Sequence, residues 1–109
     1  MKTSELTGAA LDWAVFEAEH GKPYEFTNAY KPSTDWEQGG PILEMERIAV
    51  GFLSWDPDNK RAAIWEAEHY EYGKRSRRQG PTPLIAAMRC YVAVNLGDEI
   101  KVPAEVENA

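Results

Sequence analysis

The chain has 109 residues, a formal charge of −6 and a pI near 4.9. That size suits one domain with a small core, and the acidic balance excludes a general binder of duplex DNA or anionic membranes, which needs clustered cations. No signal peptide or long apolar run is present and the single Cys90 leaves no internal disulfide, so a reducing cytoplasm is expected.

Thr7 followed by Gly8-Ala9-Ala10-Leu11 predicts a helix reaching about Glu19, with Gly21 and Pro23 as its stop. Leu11, Ala14, Val15 and Ala18 form its inward stripe. Trp13 and Phe16 widen the apolar surface beyond one face, which predicts contact with a second layer or another subunit. The alternative is a small core with one tryptophan at its rim. From Tyr24 the helical period fails, and β-branched or aromatic residues alternate with turn signals at Asn28, Pro32-Ser33 and Gly39-Gly40-Pro41. Short antiparallel strands are predicted over 24–27, 42–46, 48–55 and 61–67, the last two joined by a turn at 56–60. Ala63, Trp65 and Ala67 alternate with Glu66 and Glu68, the pattern of a sheet with one wet face.

Residues 68–79 are polar, aromatic and basic and read as an exposed loop. Thr82 is a helix N-cap and Pro83 suits the first helical position, so a second helix runs from 83 to about 96 and ends at Gly97. Leu84, Met88, Tyr91, Val92 and Asn95 form its stripe, and Cys90 within this apolar pattern reads as a core residue rather than a nucleophile. Ile100, Val102 and Pro103 would dock as a short tail, leaving a single domain over 1–103 and a frayed tail over 104–109. The fold class is therefore α+β, a small antiparallel sheet with N-terminal and C-terminal helices packed on one face.

Three blocks carry a resemblance: Leu6-Thr7-Gly8-Ala9-Ala10-Leu11-Asp12-Trp13-Ala14-Val15, Ser33-Thr34-Asp35-Trp36-Glu37-Gln38-Gly39-Gly40-Pro41-Ile42, and Gly80-Pro81-Thr82-Pro83-Leu84-Ile85-Ala86-Ala87-Met88-Arg89-Cys90-Tyr91-Val92-Ala93. In this order, and from near the start to about Val102, the chain resembles the NinX-like family of small bacteriophage proteins. The resemblance implies the cytoplasm of an infected bacterium as the setting and implies no mechanism.

Enzymatic constellations are thin. His20 and His69 each close a Glu-Ala-Glu-His string, but ligand spacing differs between a helix and a strand, so two solvated acidic edges are expected and no metal site. The chain has no nucleophile elbow, Walker loop, Cys-x-x-Cys pair or dinucleotide fingerprint, so neither an enzyme nor a cofactor is expected. Thr34 and Asp35 offer a hydroxyl and a carboxylate beside the Trp36 indole and near Gly40, a set that can bind a ribose or base edge while an aromatic plane stacks. The plainer reading is an Asx-type turn with Trp36 plugged into the core. Lys74, Arg75, Arg77 and Arg78 place four of the twelve basic residues within five positions before the Thr82 helix start, a candidate phosphate cradle with Tyr70 and Tyr72 as stacking planes. The plainer reading is a solvated basic loop. Arg89, inside an apolar helix, must snorkel, pair with an acid such as Glu44, or enter a polar pocket.

These residues predict a homo-oligomer that sequesters a nucleotide-derived signalling molecule, such as a cyclic ADP-ribose derivative or a cyclic dinucleotide. The nucleotide sponges of phages resemble this chain in size, setting and general architecture, which is an analogy without a shared motif. In that reading Trp36 or a tyrosine stacks the base, Thr34 and Asp35 hold ribose or base edges, and Arg75, Arg77, Arg89 and Thr82 hold phosphates. An adaptor that docks on a host protein through Trp13 and Phe16 is the second reading, and a hydrolase using Glu66 and Glu68 the third.

Overall fold

The first helix forms where its apolar period requires: a computed structural model, which describes residues 1–21, 29–71 and 73–107, places α1 at Gly8–His20 with Leu11, Ala14 and Val15 fully buried. The strand expected at 24–27 lies outside the described residues. Trp13 packs against the core, and the Phe16 ring meets His20 at 4.8 Å and stands edge-on to Tyr30 at 5.2 Å. The aromatic surplus of α1 thus meets a second layer within the chain, the first of the two contacts expected for it.

The strand expected at 42–46 and the turn expected at Gly39-Gly40-Pro41 are instead one helix, α2 (Trp36–Met45). Local propensity argues against it, since Gly and Pro both disfavour a helix interior. Capping and packing decide otherwise. Asp35 is the N-cap, accepting from the Glu37 amide at 3.0 Å and from Gln38 Nε2 at 3.2 Å. Gln38 in turn accepts from the Lys31 amide at 2.7 Å and donates to the Ala29 carbonyl at 2.9 Å, fastening the incoming segment to the helix. Ile42 is buried and Leu43 packs against the core.

Three strands, β1 (Ala49–Asp56), β2 (Arg61–Glu71) and β3 (Lys74–Gly80), form an antiparallel sheet in the order β1-β2-β3. The expected turn joins β1 to β2, with Asp56 accepting from the amides of Asp58 and Asn59. The exposed loop expected over 68–79 is corrected: β2 continues to Glu71, and Glu71 pairs with Lys74 to begin β3. Registry puts Glu66 beside Gln79, Glu68 beside Arg77 and Tyr70 beside Arg75 on the outer face, while Ala67 is buried on the inner face. With one face turned to water, a strand can be polar at every second position and still pair.

α3 (Pro83–Leu96) begins and ends as expected, with the Thr82 side chain accepting from the Ile85 amide at 3.1 Å. It lies across the inner face of the sheet, and α1 and α2 pack against it. Leu6, Leu11, Val15, Met88, Cys90 and Val92 fill the space between these layers. Burial pushes the Cys90 thiol up to about 11, as its inert core position requires. Ile100 and Val102 dock on the core as expected, but Ala104–Glu107 forms a short helix, α4, where fraying was expected. Its Val106 is buried and α4 packs against α1, so apolar contact orders this stretch.

Asp12 is a buried carboxylate on α1 that accepts from the Ser33 amide at 2.9 Å and so ties the α2 approach to α1. Burial raises its pKa above the usual 3.8, opposed by Ser33 and by the charge of Lys31. A raised folded-state pKa means that the folded protein binds this proton more tightly, so the Asp12 contribution to stability grows as pH falls from neutral toward the unfolded value. Asp12→Asn keeps the acceptor and removes the titration. Its stability relative to the unsubstituted protein, measured by urea denaturation, is expected to be higher at pH 7 than at pH 4; a constant difference would show that folding does not raise the Asp12 pKa.

Candidate functional site

A cleft of about 550 Å³ opens where β3 meets the start of α3, lined by Ser4, Ile64, Glu66, Arg77, Arg78, Gln79, Gly80, Pro81 and Arg89. Gly80 makes the junction tight, because a Cβ there would lie 2.7 Å from the Ala86 backbone nitrogen. β3 can therefore lie directly on the first turn of α3, which brings its terminal carbonyls within reach of Arg89.

Arg89 is the half-buried cation of this cleft. Its Nε donates to the Leu6 carbonyl at 2.8 Å and its Nη1 to the Gln79 carbonyl at 2.8 Å, so it pins both the N-terminal segment and β3 to α3. It does not pair with Glu44. Burial lowers its pKa from the usual arginine value, and the neighbouring charge of Glu5 opposes the shift. Among the described residues no carboxylate forms an ion pair with Arg89, and its Nη2 has no hydrogen-bond partner. Arg78 pairs with Asp98 and donates to the Arg77 carbonyl at 2.6 Å. Arg77 Nε lies 3.5 Å from Glu68, leaving its terminal amino groups available. Three guanidiniums and the Glu66 carboxylate line the cleft, while Glu68 and Asp98 offset Arg77 and Arg78 from its margins.

Of the residues chosen from sequence, Arg77 and Arg89 line this cleft, and Thr82 stands immediately after its Pro81 wall with its hydroxyl engaged by the cap. Arg75 does not join them: its Nε contacts Glu68 at 3.1 Å, and it lines a second depression of about 360 Å³ with His69, Glu71, Lys74, Ser76 and Val94. Tyr72 lies outside the described residues. Thr34, Asp35, Trp36 and Gly40 belong to the start of α2 and line neither depression. Trp36 is 57 % exposed, so it neither plugs the core nor faces the arginines. The Asp35 oxygens are occupied by the cap. Arg78, part of the basic run noted in the sequence, lines the cleft too, whereas Gln79 and Ser4 carried no signal of their own. An alternating reading of Lys74 to Gly80 would have signalled a strand with Arg75, Arg77 and Gln79 on one face.

His20 stands 3.2 Å from Glu19 at the end of α1, and His69 stands 4.0 Å from Glu71 in β2, each beside a glutamate of its own element. Among the described residues no group of three or more metal-ligating side chains gathers, and no helix is long and apolar enough to cross a membrane. Compared with known families, residues 2–95 match the model described as Bacteriophage P22, NinX. No curated protein matches the chain.

Proposed function

The chain belongs to the bacteriophage P22 NinX family, and on that premise we propose that it is a phage anti-defence protein that binds and sequesters a nucleotide immune messenger without cleaving it. The messenger is of the cyclic ADP-ribose or cyclic dinucleotide type, the binding protein is a homo-oligomer, and the setting is the cytoplasm of the infected host. The observation that carries the reading is the half-buried Arg89, which makes no ion pair among the described residues, in a cleft shared with Arg77 and Arg78. Partial desolvation of a cation that makes no ion pair carries a cost, which the more distant charge of Glu5 offsets only in part, and a ligand phosphate would supply both a close charge and an acceptor for the open Nη2. Trp36 at the α2 start is removed from this cleft, so base stacking there must come from another ring or another subunit.

Sequestration requires no base or metal. Glu68 is bracketed by Arg75 and Arg77, which argues against its use as a free catalytic partner of Glu66. The test is calorimetry with cyclic ADP-ribose and cyclic dinucleotide probes, followed by chromatography of the ligand released on heating. Arg77→Ala is expected to weaken binding by about 1.5 to 3 kcal/mol, the worth of one charge-assisted contact, while leaving the melting temperature unchanged. An unaltered affinity would move the phosphate site out of this cleft. A linearised or dephosphorylated product would overturn the binding-only mechanism.

A second reading is an adaptor that docks on a host protein. It draws support from the exposed Phe52 and Trp55 of the β1–β2 hairpin, rather than from Trp13 and Phe16. Binding of a host protein with no affinity for either nucleotide class would favour it.

A further inference from the structure

Two charged groups of the arginine cleft make no ion pair among the described residues, and they have opposite signs. One is Arg89, held by the Leu6 and Gln79 carbonyls with its Nη2 open. The other is Glu66. Arg77 turns to Glu68 and Arg78 to Asp98, so the partly buried Glu66 carboxylate shares a cleft with three guanidiniums and is bridged by none of them. A site for phosphate alone gains nothing from such a group, because a carboxylate repels the anion that the arginines attract. A ligand that carries a phosphate at one end and N–H donors at the other accounts for both.

Registry fixes what stands beside that carboxylate. Glu66 pairs with Gln79 across the β2–β3 ladder, so the two side chains leave the same face of the sheet, and both residues line the cleft. Among the described residues neither side chain has a hydrogen-bond partner. Ile64, 38 % exposed, lines the same cleft two residues before Glu66 and gives a base plane an apolar surface. A carboxylate offers two acceptors side by side, and the amide next to it offers a donor. Among the common bases only guanine presents the complement on its Watson–Crick edge: adjacent N1–H and N2–H donors with the O6 acceptor beside them. Adenine and cytosine set an amino donor next to a ring-nitrogen acceptor, and uracil sets one donor between two acceptors, so each would turn a lone pair toward Glu66.

We infer that Glu66 reads the Watson–Crick edge of a guanine, with Gln79 donating to O6, while Arg89 holds a phosphate of the same ligand. The inference rests on the messenger reading above and narrows it to guanine-bearing cyclic dinucleotides. Calorimetry with cyclic di-GMP, cyclic di-AMP and cyclic di-IMP tests it, the last probe lacking only the 2-amino group of each guanine. The unsubstituted protein should bind cyclic di-GMP at least about tenfold more tightly than either of the others, the discrimination a bidentate base contact supplies. Glu66→Gln is nearly isosteric and should keep the melting temperature, but it puts a donor where guanine needs an acceptor. Its preference for cyclic di-GMP over cyclic di-AMP should therefore fall to about threefold or less. The ratio is the readout, because loss of a negative charge favours every phosphate ligand alike and a merely structural role would shift all affinities together. Equal binding of cyclic di-GMP and cyclic di-AMP overturns the inference and leaves the messenger reading standing, and so does a preference that survives Glu66→Gln. Binding of none of the three overturns the inference together with its cyclic dinucleotide premise.

Discussion

Gly39→Ala is expected to cost about 3 kcal/mol of folding stability, at the upper end of ordinary overpacking penalties. In an open helix the same change would be favourable by about 1 kcal/mol, because alanine is the better helix former. Here α2 presses its backbone onto the segment that precedes it. A Cβ at position 39 would lie 2.2 Å from the Pro32 carbonyl oxygen and 2.8 Å from Leu84 Cδ2. Pro32 is fully buried and its turn is held by the Asp12 and Gln38 hydrogen bonds, so the oxygen has nowhere to move. Gly40→Ala is the matched control, since the nearest atom to its new methyl is Trp36 Cε3 at 3.8 Å. Urea denaturation should show a large loss for Gly39→Ala and no loss, or a small gain, for Gly40→Ala. Equal effects at the two positions would show that the close approach does not govern α2.

Gly80→Ala should cost about 2 to 3 kcal/mol by the same mechanism and, unlike Gly39→Ala, should also disable the arginine cleft. Its methyl would meet the Ala86 nitrogen at 2.7 Å and the Ala86 Cα at 3.1 Å, both backbone atoms of a capped helix that cannot swing aside. The end of β3 must then lift from α3, stretching the 2.8 Å bond from Arg89 to the Gln79 carbonyl. Thermal melting should fall by several degrees for each kcal/mol lost, roughly 4 to 8 °C in a domain of this size. Nucleotide affinity should fall with it. Arg77→Ala separates the two effects, because it removes a surface cation and leaves the junction in place. A Gly80→Ala protein with unchanged melting and unchanged affinity would mean that the junction has more slack than its distances indicate.

Trp36 and Arg89 mark the two ways in which the candidate site outran its sequence. Trp36 with Thr34 and Asp35 has the composition of a ribose and base site, yet these side chains serve a helix start, because the unsatisfied amides of α2 demand an N-cap and Asp35 is the residue placed to provide it. Arg89 was recognisable as a cation in an apolar helix, but its partners are backbone carbonyls distant in sequence, Leu6 and Gln79, and no pattern along the chain names a carbonyl. Of the basic run, Arg77 and Arg78 reach the cleft at the α3 end of β3, while Arg75, two residues earlier, lines the second depression. That partition follows from strand registry, which a loop reading could not contain.

The sequence by itself determined α1 and α3, the β1–β2 turn, the buried Cys90 and the α+β class, because each rests on short-range chemistry: a Thr-Pro helix start, a helical apolar period, an Asp-Pro-Asp-Asn turn. Tertiary structure alone decided α2, β3 and α4. Gly39, Gly40 and Pro41 weaken a helix locally, and α2 persists because Asp35 caps it and Gly39 lets it lie against Pro32 and Leu84. β3 has almost no apolar residues to signal a strand, and it forms through its backbone ladder to β2. α4 is too short to hold itself, and it is ordered by burying Val106 against the core. In each case the stabilising partner lies elsewhere in the chain, so the information exists in the sequence but becomes readable only once folding has brought the partners together.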